Sequence, residues 1–162
     1  MKKQKHFHIK MSIYPQLTKI IEENFTDGEI ELESYIIHCS LYYITTERRV
    51  LFLNKAIDHK IDDTIAAFCF EKRGVIFLIA TSKEYQHQGY AKELLSTILS
   101  RLEKAKLNVR VSNKNAIKLY MSLGFKVTDV KENFYQYTGE NEDAYEMRYE
   151  RQTNIFDDIF DF

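Results

Sequence analysis

Residues 86–125 of the chain, QHQGYAKELLSTILSRLEKAKLNVRVSNKNAIKLYMSLGF, decide its predicted fold. They open with a turn around Gly89, shortly after an apolar run that ends near Thr81. The apolar residues after the turn recur at the spacing of an amphipathic helix with one buried face; they are Leu94, Leu95, Ile98, Leu99 and Leu102. A buried strand, a tight turn and a helix in this order predict an α/β sheet covered by helices.

The turn at Gly89 has the chemistry of an anion site. The first N–H groups of a helix have no partner inside the helix, and the helix dipole favours negative charge there. Glycine lets the backbone approach a ligand closely, and Ala91 keeps the first helical turn uncluttered. The same pattern also fits a helix start that merely needs a small residue. The chain has neither a GxGxxG fingerprint nor a Gly-Lys-Ser/Thr phosphate loop.

The remaining elements are predicted from periodicity. Alternation at Phe7, Ile9 and Met11 predicts a first strand. A helical stripe at Leu17, Ile20, Ile21 and Phe25 predicts a helix with Pro15 near its start and Asp27-Gly28 at its end. A second helix is predicted from about Glu29 into the forties. Further strands are predicted at 50–53, 65–70, 75–80, 107–111, 125–130 and 144–149, helices at 89–103 and 114–123, and a loop at 56–63.

The segment after the long helix carries a second pattern. Ser112 or Asn113 can cap the helix that follows, Ile117 and Tyr120 share one helical face, and Gly124 ends the helix. With the turn, it resembles the GNAT acetyltransferase superfamily. The motif Gln/Arg-x-x-Gly-x-Gly/Ala is matched by Gln86, Gly89 and Ala91. The motif Asn-x-x-Ala-x-x-Leu-Tyr-x-x-x-Gly-Phe is matched at Asn113, Ala116, Leu119, Tyr120, Gly124 and Phe125.

The resemblance, strong from Ile76 to Met147, implies the GNAT fold, a mixed central sheet with strands splayed at an acetyl-CoA site. The pantetheine arm would lie along Ile79, Ala80 and Thr81. The pyrophosphate would lie at Gln86, His87, Gln88, Gly89, Tyr90, Ala91 and Lys92. Asn113 would also touch the cofactor, and Tyr120 would protonate the departing sulfur. The plainer alternatives are a helix cap at Asn113 and a packed aromatic residue at Tyr120.

The carboxyl-terminal half is similar to the N-terminal protein acetyltransferases, including the ribosomal-protein alanine type. Residues 133–135, Asn-Phe-Tyr, resemble their Asn-Tyr-Tyr, and residues 142–147 resemble their Glu-Asp-Ala-Tyr-x-Met strand. This resemblance implies a peptide α-amine as acceptor. The residues expected to bind the acceptor are Phe25, Asn133, Phe134 and Tyr135. Tyr135 also fits a surface aromatic.

Two positions depart from those relatives. Where they carry Glu in a Leu-Glu-Val-Arg strand, this chain has Asn108, whose amide can position a water but cannot take a proton. We expect Asn108 in that positioning role, or a base elsewhere. The relatives' Phe-Pro pair is replaced by Phe25-Thr26. A small amine, such as a polyamine, amino acid or aminoglycoside, is therefore an alternative acceptor, and a non-catalytic acetyl-CoA-binding module is a third hypothesis.

Composition narrows the function classes. The 162 residues suit one acetyltransferase domain, 1–150, followed by an acidic and aromatic tail, 151–162, that is either docked or disordered. The net charge of −1 argues against a nucleic-acid or membrane-surface partner. Cys39 and Cys69 show no metal-ligand spacing, so no metal is expected. Without a signal peptide or a membrane span, we expect a cytoplasmic monomer or homodimer.

Overall fold

The computed structural model of the chain describes residues 4–26, 29–54, 63–136 and 141–152, and only the backbone of residues 4–12. Within these ranges there are four α-helices: α1 (Gln4–Asn24), α2 (Leu32–His38), α3 (Tyr90–Leu99) and α4 (Lys114–Ser122). The strands are β1 (Ser40–Thr45), β2 (Val50–Leu53), β3 (Ile65–Lys72), β4 (Val75–Thr81), β5 (Lys104–Arg110), β6 (Lys126–Tyr135) and β7 (Glu142–Glu150). A short 3₁₀ turn, Lys83–Tyr85, lies between β4 and α3.

The seven strands form one mixed sheet in the order β2-β1-β3-β4-β5-β7-β6, in which β4 and β5 are parallel. Successive residues of the central strand β3 enter different cores. Ala67 and Cys69 pack in the core that includes α3 and α4, whereas Phe68 and Phe70 pack in the core that includes α1 and α2. A strand covered on both faces needs apolar residues at every position. The predicted α/β sheet flanked by helices is confirmed.

The amino-terminal part of the chain differs from the prediction. Residues 7–11 belong to helix α1, so the predicted first strand is wrong. Their alternation covers only five residues, whereas Ile13, Leu17 and Ile20 are all buried at helical spacing. Because a helix extends more easily than it begins, the longer pattern prevails. Pro15 therefore lies inside the helix and not near its start.

The second helix is shorter than predicted. It ends at His38, and the chain is already extended at Cys39, so the forties form β1 and not a helix. Residues 41–45 of β1 are all buried. A continuous apolar run of this length fits a buried helix or a buried strand equally well, and pairing with β2 and β3 decides for the strand.

The boundary between α3 and β5 is also shifted. Helix α3 ends at Leu99 and not near Glu103, and β5 begins at Lys104 and not at Leu107. Buried and exposed residues alternate along the whole of β5. Its first three residues pair with β7, so they belong to the strand and not to a loop before it. The guanidinium of Arg151 donates a hydrogen bond to the carbonyl of Leu99, which satisfies one of the free carbonyls at the end of α3.

Some predictions concern residues outside the described ranges: the break at Asp27-Gly28, most of the loop 56–63, and all but the first two residues of the tail. Among the described residues, no helix is long and apolar enough to cross a membrane. Within the same residues, no group of three or more His, Cys, Asp or Glu side chains could hold a metal ion. Both cysteines are free thiols, with Cys69 buried.

Candidate functional site

The two parallel strands separate immediately after they meet. β4 and β5 share one register pair, Val75 with Lys106, where the Lys106 N–H donates to the Gly74 carbonyl at 2.8 Å. β4 then continues to Thr81 and β5 to Arg110 with no further register pair between them. Backbone groups of β4 that point toward β5 therefore have no strand partner over this length. The predicted splay is present, and its β4 side leads into the start of α3.

Helix α3 begins at the turn predicted to hold phosphate. Its N-cap, Gly89, has φ of +85°, a left-handed conformation that glycine adopts without a steric penalty. A Cβ atom on Gly89 would meet no heavy atom within 4 Å, so the space above the turn is open. His87, Gln88 and Gly89 are exposed. Because glycine has no side chain to cap the helix, the first N–H groups of α3 are available to an anion.

Two side chains of this turn form hydrogen bonds to other segments of the protein. The Gln86 amide donates to Asn24 Oδ1 at 3.2 Å and to the Thr81 carbonyl at 3.4 Å, and that carbonyl also accepts from Asn24 Nδ2 at 2.9 Å. Tyr90 is buried, and its hydroxyl donates to the Thr46 carbonyl at 3.1 Å. At Gln86 and Tyr90, the groups left for a ligand are therefore on the backbone.

A residue that the sequence did not single out, Arg48, braces the same turn. Its guanidinium donates to the Gln88 carbonyl and to Glu93 Oε2, both at 2.7 Å, and lies 4.3 Å from the centre of the Tyr90 ring. Arg48 follows β1, forty residues before Gln88 in the sequence, so no local pattern indicates the contact. The ion pair is exposed and adds little stability, but its geometry orders the turn.

Tyr120 lies on the buried face of α4 and is 6% exposed. Its ring centre is 5.8 Å from that of Phe125. Burial, with smaller contributions from Cys69 and Tyr135, raises the pKa of Tyr120 above its usual value. The phenol therefore keeps its proton at neutral pH. Among the described residues its hydroxyl makes no hydrogen bond, and Thr18 Oγ1 is the only fully buried polar side-chain atom among them without a partner. The Tyr120 oxygen therefore keeps some accessible surface through which a ligand can reach its proton.

Asn108 is exposed on β5 and points away from that strand's buried residues. Its register partner on β7 is Glu146, a buried carboxylate that pairs with Lys131 at 2.9 Å and Arg148 at 2.6 Å. Hydrogen bonds from Lys131 and Arg148 lower the pKa of Glu146 to about 2. Glu146 is therefore ionised at neutral pH but is too weak a base to take a proton from an amine.

Arg110 lies at the end of β5, on the side of the splay opposite β4. Its side chain contacts three different segments of the chain. Its guanidinium donates to Glu29 at 2.8 Å and to Glu142 at 3.1 Å, and lies 4.1 Å from the centre of the Tyr135 ring. Burial alone would lower the pKa of Arg110, but the two carboxylates together raise it. Glu142 also accepts from the Ser112 N–H at 3.0 Å, and Ser112 contributes most to lowering the pKa of Glu142. This network fixes the end of β6 beside the start of α4.

The residues predicted to bind the acceptor fall into two groups. Asn133 and Phe134 are exposed at the end of β6, and the Phe134 ring lies edge-on to Tyr135 with centres 5.0 Å apart. Burial raises the pKa of Tyr135 despite the opposing effect of Arg110. Phe25 instead lines a cavity of about 480 Å³ between α1 and α2, and no β6 residue lines that cavity. Its lining includes three carboxylates, Glu22, Glu31 and Glu33.

Asn113 is the N-cap of α4, and its Oδ1 accepts from the Ala116 N–H at 3.2 Å. This contact decides between the two caps that the sequence left open. The cap uses the amide oxygen and leaves the amide N–H groups free, so a ligand contact by Asn113 stays a prediction. Sequence reasoning missed Arg110 and Glu142 as a pair, although both lie within matched segments: only the sheet brings them together.

This arrangement is that of a known class of transferase fold. Its two parallel strands splay apart, the start of α3 is open, and a tyrosine is buried on α4. The chain belongs to the acetyltransferase (GNAT) family, whose model matches residues 15–125. The matched residues include β4, β5, the Gly89 turn and Tyr120. The family resemblance predicted from the two motifs is confirmed.

The chain is also similar to individual members of this family. It is 42% identical to the ribosomal protein bS18-alanine N-acetyltransferase of Escherichia coli (strain K12) over 74 residues, 43% of this chain and 50% of that protein. The Haemophilus ducreyi protein of the same name is 30% identical over 126 residues, 72% of this chain and 86% of that protein. The crystal structure of the Escherichia coli enzyme matches with a TM-score of 0.51 and 32% identity over 58% of this chain and 66% of that chain. The chain thus spans about half the length of the first of these relatives.

Proposed function

We propose that the chain is an acetyl-CoA-dependent N-acetyltransferase. The observation that carries this proposal is Tyr120, a buried phenol whose hydroxyl has no partner among the described residues, in the same core as the splayed strands. The open turn at Gly89 supplies the anion site that a pyrophosphate requires. Family membership supports the same activity.

The residues present fit the donor. When bound, acetyl-CoA supplies an acetyl group activated as a thioester. Backbone groups of Ile79, with the N–H of Thr81, would hold the pantetheine arm, because the Thr81 carbonyl already accepts two hydrogen bonds. The Ser82 N–H donates to the Ala66 carbonyl of β3, so by alternation the backbone groups of Ala80 also face β3. The backbone N–H groups of residues 87–92 would hold the pyrophosphate, and Asn113 would donate its amide N–H groups.

Each residue at the splay has a different role in the proposed reaction. An N–H on the free edge of β4 polarises the acetyl carbonyl and raises its reactivity toward the amine. Tyr120 would donate its proton to the departing sulfur as the acceptor nitrogen takes the acetyl group, and it would regain a proton from solvent. Burial raises the pKa of a thiol and that of a phenol in the same direction. The pKa of Tyr120 and that of the departing thiol therefore stay similar. The amine proton leaves through a water that Asn108 positions.

We propose a peptide α-amine as the acceptor. Similarity to proteins named ribosomal protein bS18-alanine N-acetyltransferase supports this choice. Tyr135 supports it too, because the Arg110 guanidinium, 4.1 Å from the centre of its ring, holds that ring beside the splay. Exposed Asn133 and Phe134 would contact the residues that follow the acceptor amine.

The cavity between α1 and α2 favours a second candidate, a small polycationic amine. Among the residues whose side chains the structure describes, three carboxylates and no lysine or arginine line this cavity, and its walls include Tyr14, Ile21 and Phe25. Carboxylates over apolar walls suit an alkyl ammonium. A polyamine acceptor would use this cavity, whereas a peptide acceptor would use the Tyr135 side.

The test is release of free thiol from acetyl-CoA with two sets of acceptors. We expect turnover with short peptides that have a free α-amine, and none with the same peptides acetylated at that amine. Turnover with polyamines alone would select the second candidate. Tight acetyl-CoA binding without turnover on either set would contradict enzymatic function and support a binding module.

Asn108→Glu tests the proton path. A carboxylate at this position can accept the ammonium proton through water, so we expect a higher rate near neutral pH and a rising limb of the pH–rate profile at lower pH. The new carboxylate would face Glu146 across the strands, and Lys131 and Arg148 already pair with that side chain.

Asn108→Gln is the matched control, because it keeps the amide and has the length of Glu. We expect its pH–rate profile to follow that of the wild type. If the Glu variant folds, binds acetyl-CoA and is no faster than the Gln variant, proton removal does not depend on this position.

A further inference from the structure

A basic groove of about 460 Å³ lies at the end of the sheet where β4 and β5 begin, away from the ends that splay. Five of its lining side chains are cationic and one is acidic. The cations are Arg73, Lys104, Lys106, Lys126 and Arg148, and the acid is Glu150. The groove thus has four net positive charges in a chain whose net charge is −1.

Three of these cations form a row across three neighbouring strands. Lys106 on β5 is the register partner of Arg148 on β7, and Arg148 is the register partner of Lys126 on β6. Opposed residues lie on one face of a sheet with Cβ atoms about 4.5–5.5 Å apart, and like charges there are destabilising. All three residues are exposed. An anion over this row would relieve the repulsion.

Two carboxylates, Glu150 in the groove and the buried Glu146 beside it, neutralise only part of this charge. Glu150 pairs with Lys104 at 3.2 Å, and Arg148 pairs with Glu146. Within the described ranges, Lys106 and Lys126 make no ion pair. Arg73 makes none there either, so the unpaired positive charge lies on Arg73 and on the two lysines that flank Arg148.

The residue that precedes an acidic segment of the sequence lies at the rim of the groove. Arg151 is fixed there, since its N–H donates to the Glu103 carbonyl at 2.7 Å, and the next residue, Gln152, lines the groove. Residues 153–162, TNIFDDIFDF, contain three aspartates and no lysine or arginine. Asp157 is five residues beyond Gln152, a reach of up to about 17 Å, which exceeds the roughly 10 Å across three neighbouring strands.

We propose that residues 153–162 bind the basic groove of their own chain, with Asp157 and Asp158 over the row of Lys106, Arg148 and Lys126. Charge complementarity and the exit point at Gln152 support this occupant. A segment on so short a tether has an effective concentration on the order of millimolar, so it competes well against free anions. The segment would then compete with any external polyanion, such as RNA, for the groove. This inference does not depend on the proposed catalytic activity.

The first test compares backbone amide NMR spectra of the full chain and of the variant Asp157→Asn, Asp158→Asn, Asp161→Asn. We expect the amide signals of Lys106, Lys126 and Arg148 to move in the variant. In the wild type, the same signals should move in the same direction when salt rises from about 0.1 M to about 1 M, where the Debye length falls from about 10 Å to about 3 Å. A control that neutralises Glu22, Glu31 and Glu33 to Gln should leave these signals in place. Groove signals that are identical in the wild type and the aspartate variant would overturn the proposal.

A charge exchange gives an independent test. The double variant Lys106→Glu, Lys126→Glu should release the segment. The amide signals of residues 153–162 should then match those of the aspartate-to-asparagine variant. Adding Asp157→Lys and Asp158→Lys to that chain should restore signals of a bound segment. For comparison, Lys83→Glu with Lys118→Glu changes two exposed lysines outside the groove and should leave the segment bound. An exchange variant that folds without restoring the bound signals contradicts the pairing.

Binding of a fluorescent RNA oligonucleotide separates the two possible occupants. If the acidic segment fills the groove, the aspartate-to-asparagine variant should bind RNA several-fold more tightly than the wild type. Equal affinity of both chains for RNA would mean that the segment does not cover the groove, and would overturn the proposal.

Discussion

Tyr120→Phe is expected to lower the turnover of acetyl transfer by about 100-fold or more, the usual contribution of a positioned proton donor. The reason lies in the position of the phenol: it is buried, keeps its proton at neutral pH and has no competing hydrogen bond within the described residues. Without it, the sulfur leaves as an unprotonated thiolate. Steady-state kinetics with saturating acetyl-CoA and acceptor measure the effect.

The Tyr120 variant should otherwise resemble the wild type. Because the lost hydroxyl has no partner within the described part of the chain, the free energy of unfolding should change by less than the cost of a broken buried hydrogen bond, about 1 kcal/mol. Acetyl-CoA affinity should change little. Tyr149→Phe is the matched control, since Tyr149 packs on the same Phe125 and lies outside the proposed site. Wild-type turnover in Tyr120→Phe would remove Tyr120 from the mechanism.

Gly89→Glu is expected to weaken CoA binding by tenfold or more beyond the effect of the backbone change alone. The new carboxylate would stand in the open space over the start of α3, where the pyrophosphate is proposed to lie. Two like charges about 4 Å apart repel by roughly 1–4 kcal/mol between bulk water and a protein surface. Isothermal titration calorimetry with CoA measures the loss.

Gly89→Gln separates charge from backbone strain. Both variants place a side chain at φ of +85°, which costs about 1–2 kcal/mol for a residue other than glycine. They have nearly the same size, so the difference between their CoA affinities reports the charge. That difference should shrink as salt rises. Equal CoA affinity in the Glu and Gln variants, both folded, would place the phosphates elsewhere.

The parts of the fold that sequence predicts well are those with a local physical signal. Helix α4 has a capping residue, Asn113, a buried face that includes Ile117 and Tyr120, and a glycine with φ of +99° at its end. The start of α3 was predicted to within one residue from Gly89 and the apolar stripe that follows. Each of these signals acts within one helical turn, so it can be recognised without knowledge of distant residues.

The predictions failed where a short pattern fits two structures. Residues 7–11 alternate like a strand but continue helix α1, and residues 41–45 form an apolar run that became β1. Strand pairing and helix extension decide such segments, and neither is local. The early part of β5 was missed for the same reason, because its strand character depends on pairing with β7.

By itself, the sequence determined the α/β class, the order of elements from β2 onward and the two motifs that contain Gly89 and Tyr120, because capping, turns and periodicity act over a few residues. Only the tertiary structure decided how far β4 and β5 separate, that Arg110 joins Glu29 to Glu142, and that Lys106, Arg148 and Lys126 form one row. These contacts join residues far apart in the chain. Their positions follow from strand register and sheet order, which arise from packing of the whole domain and leave no periodic trace in the sequence.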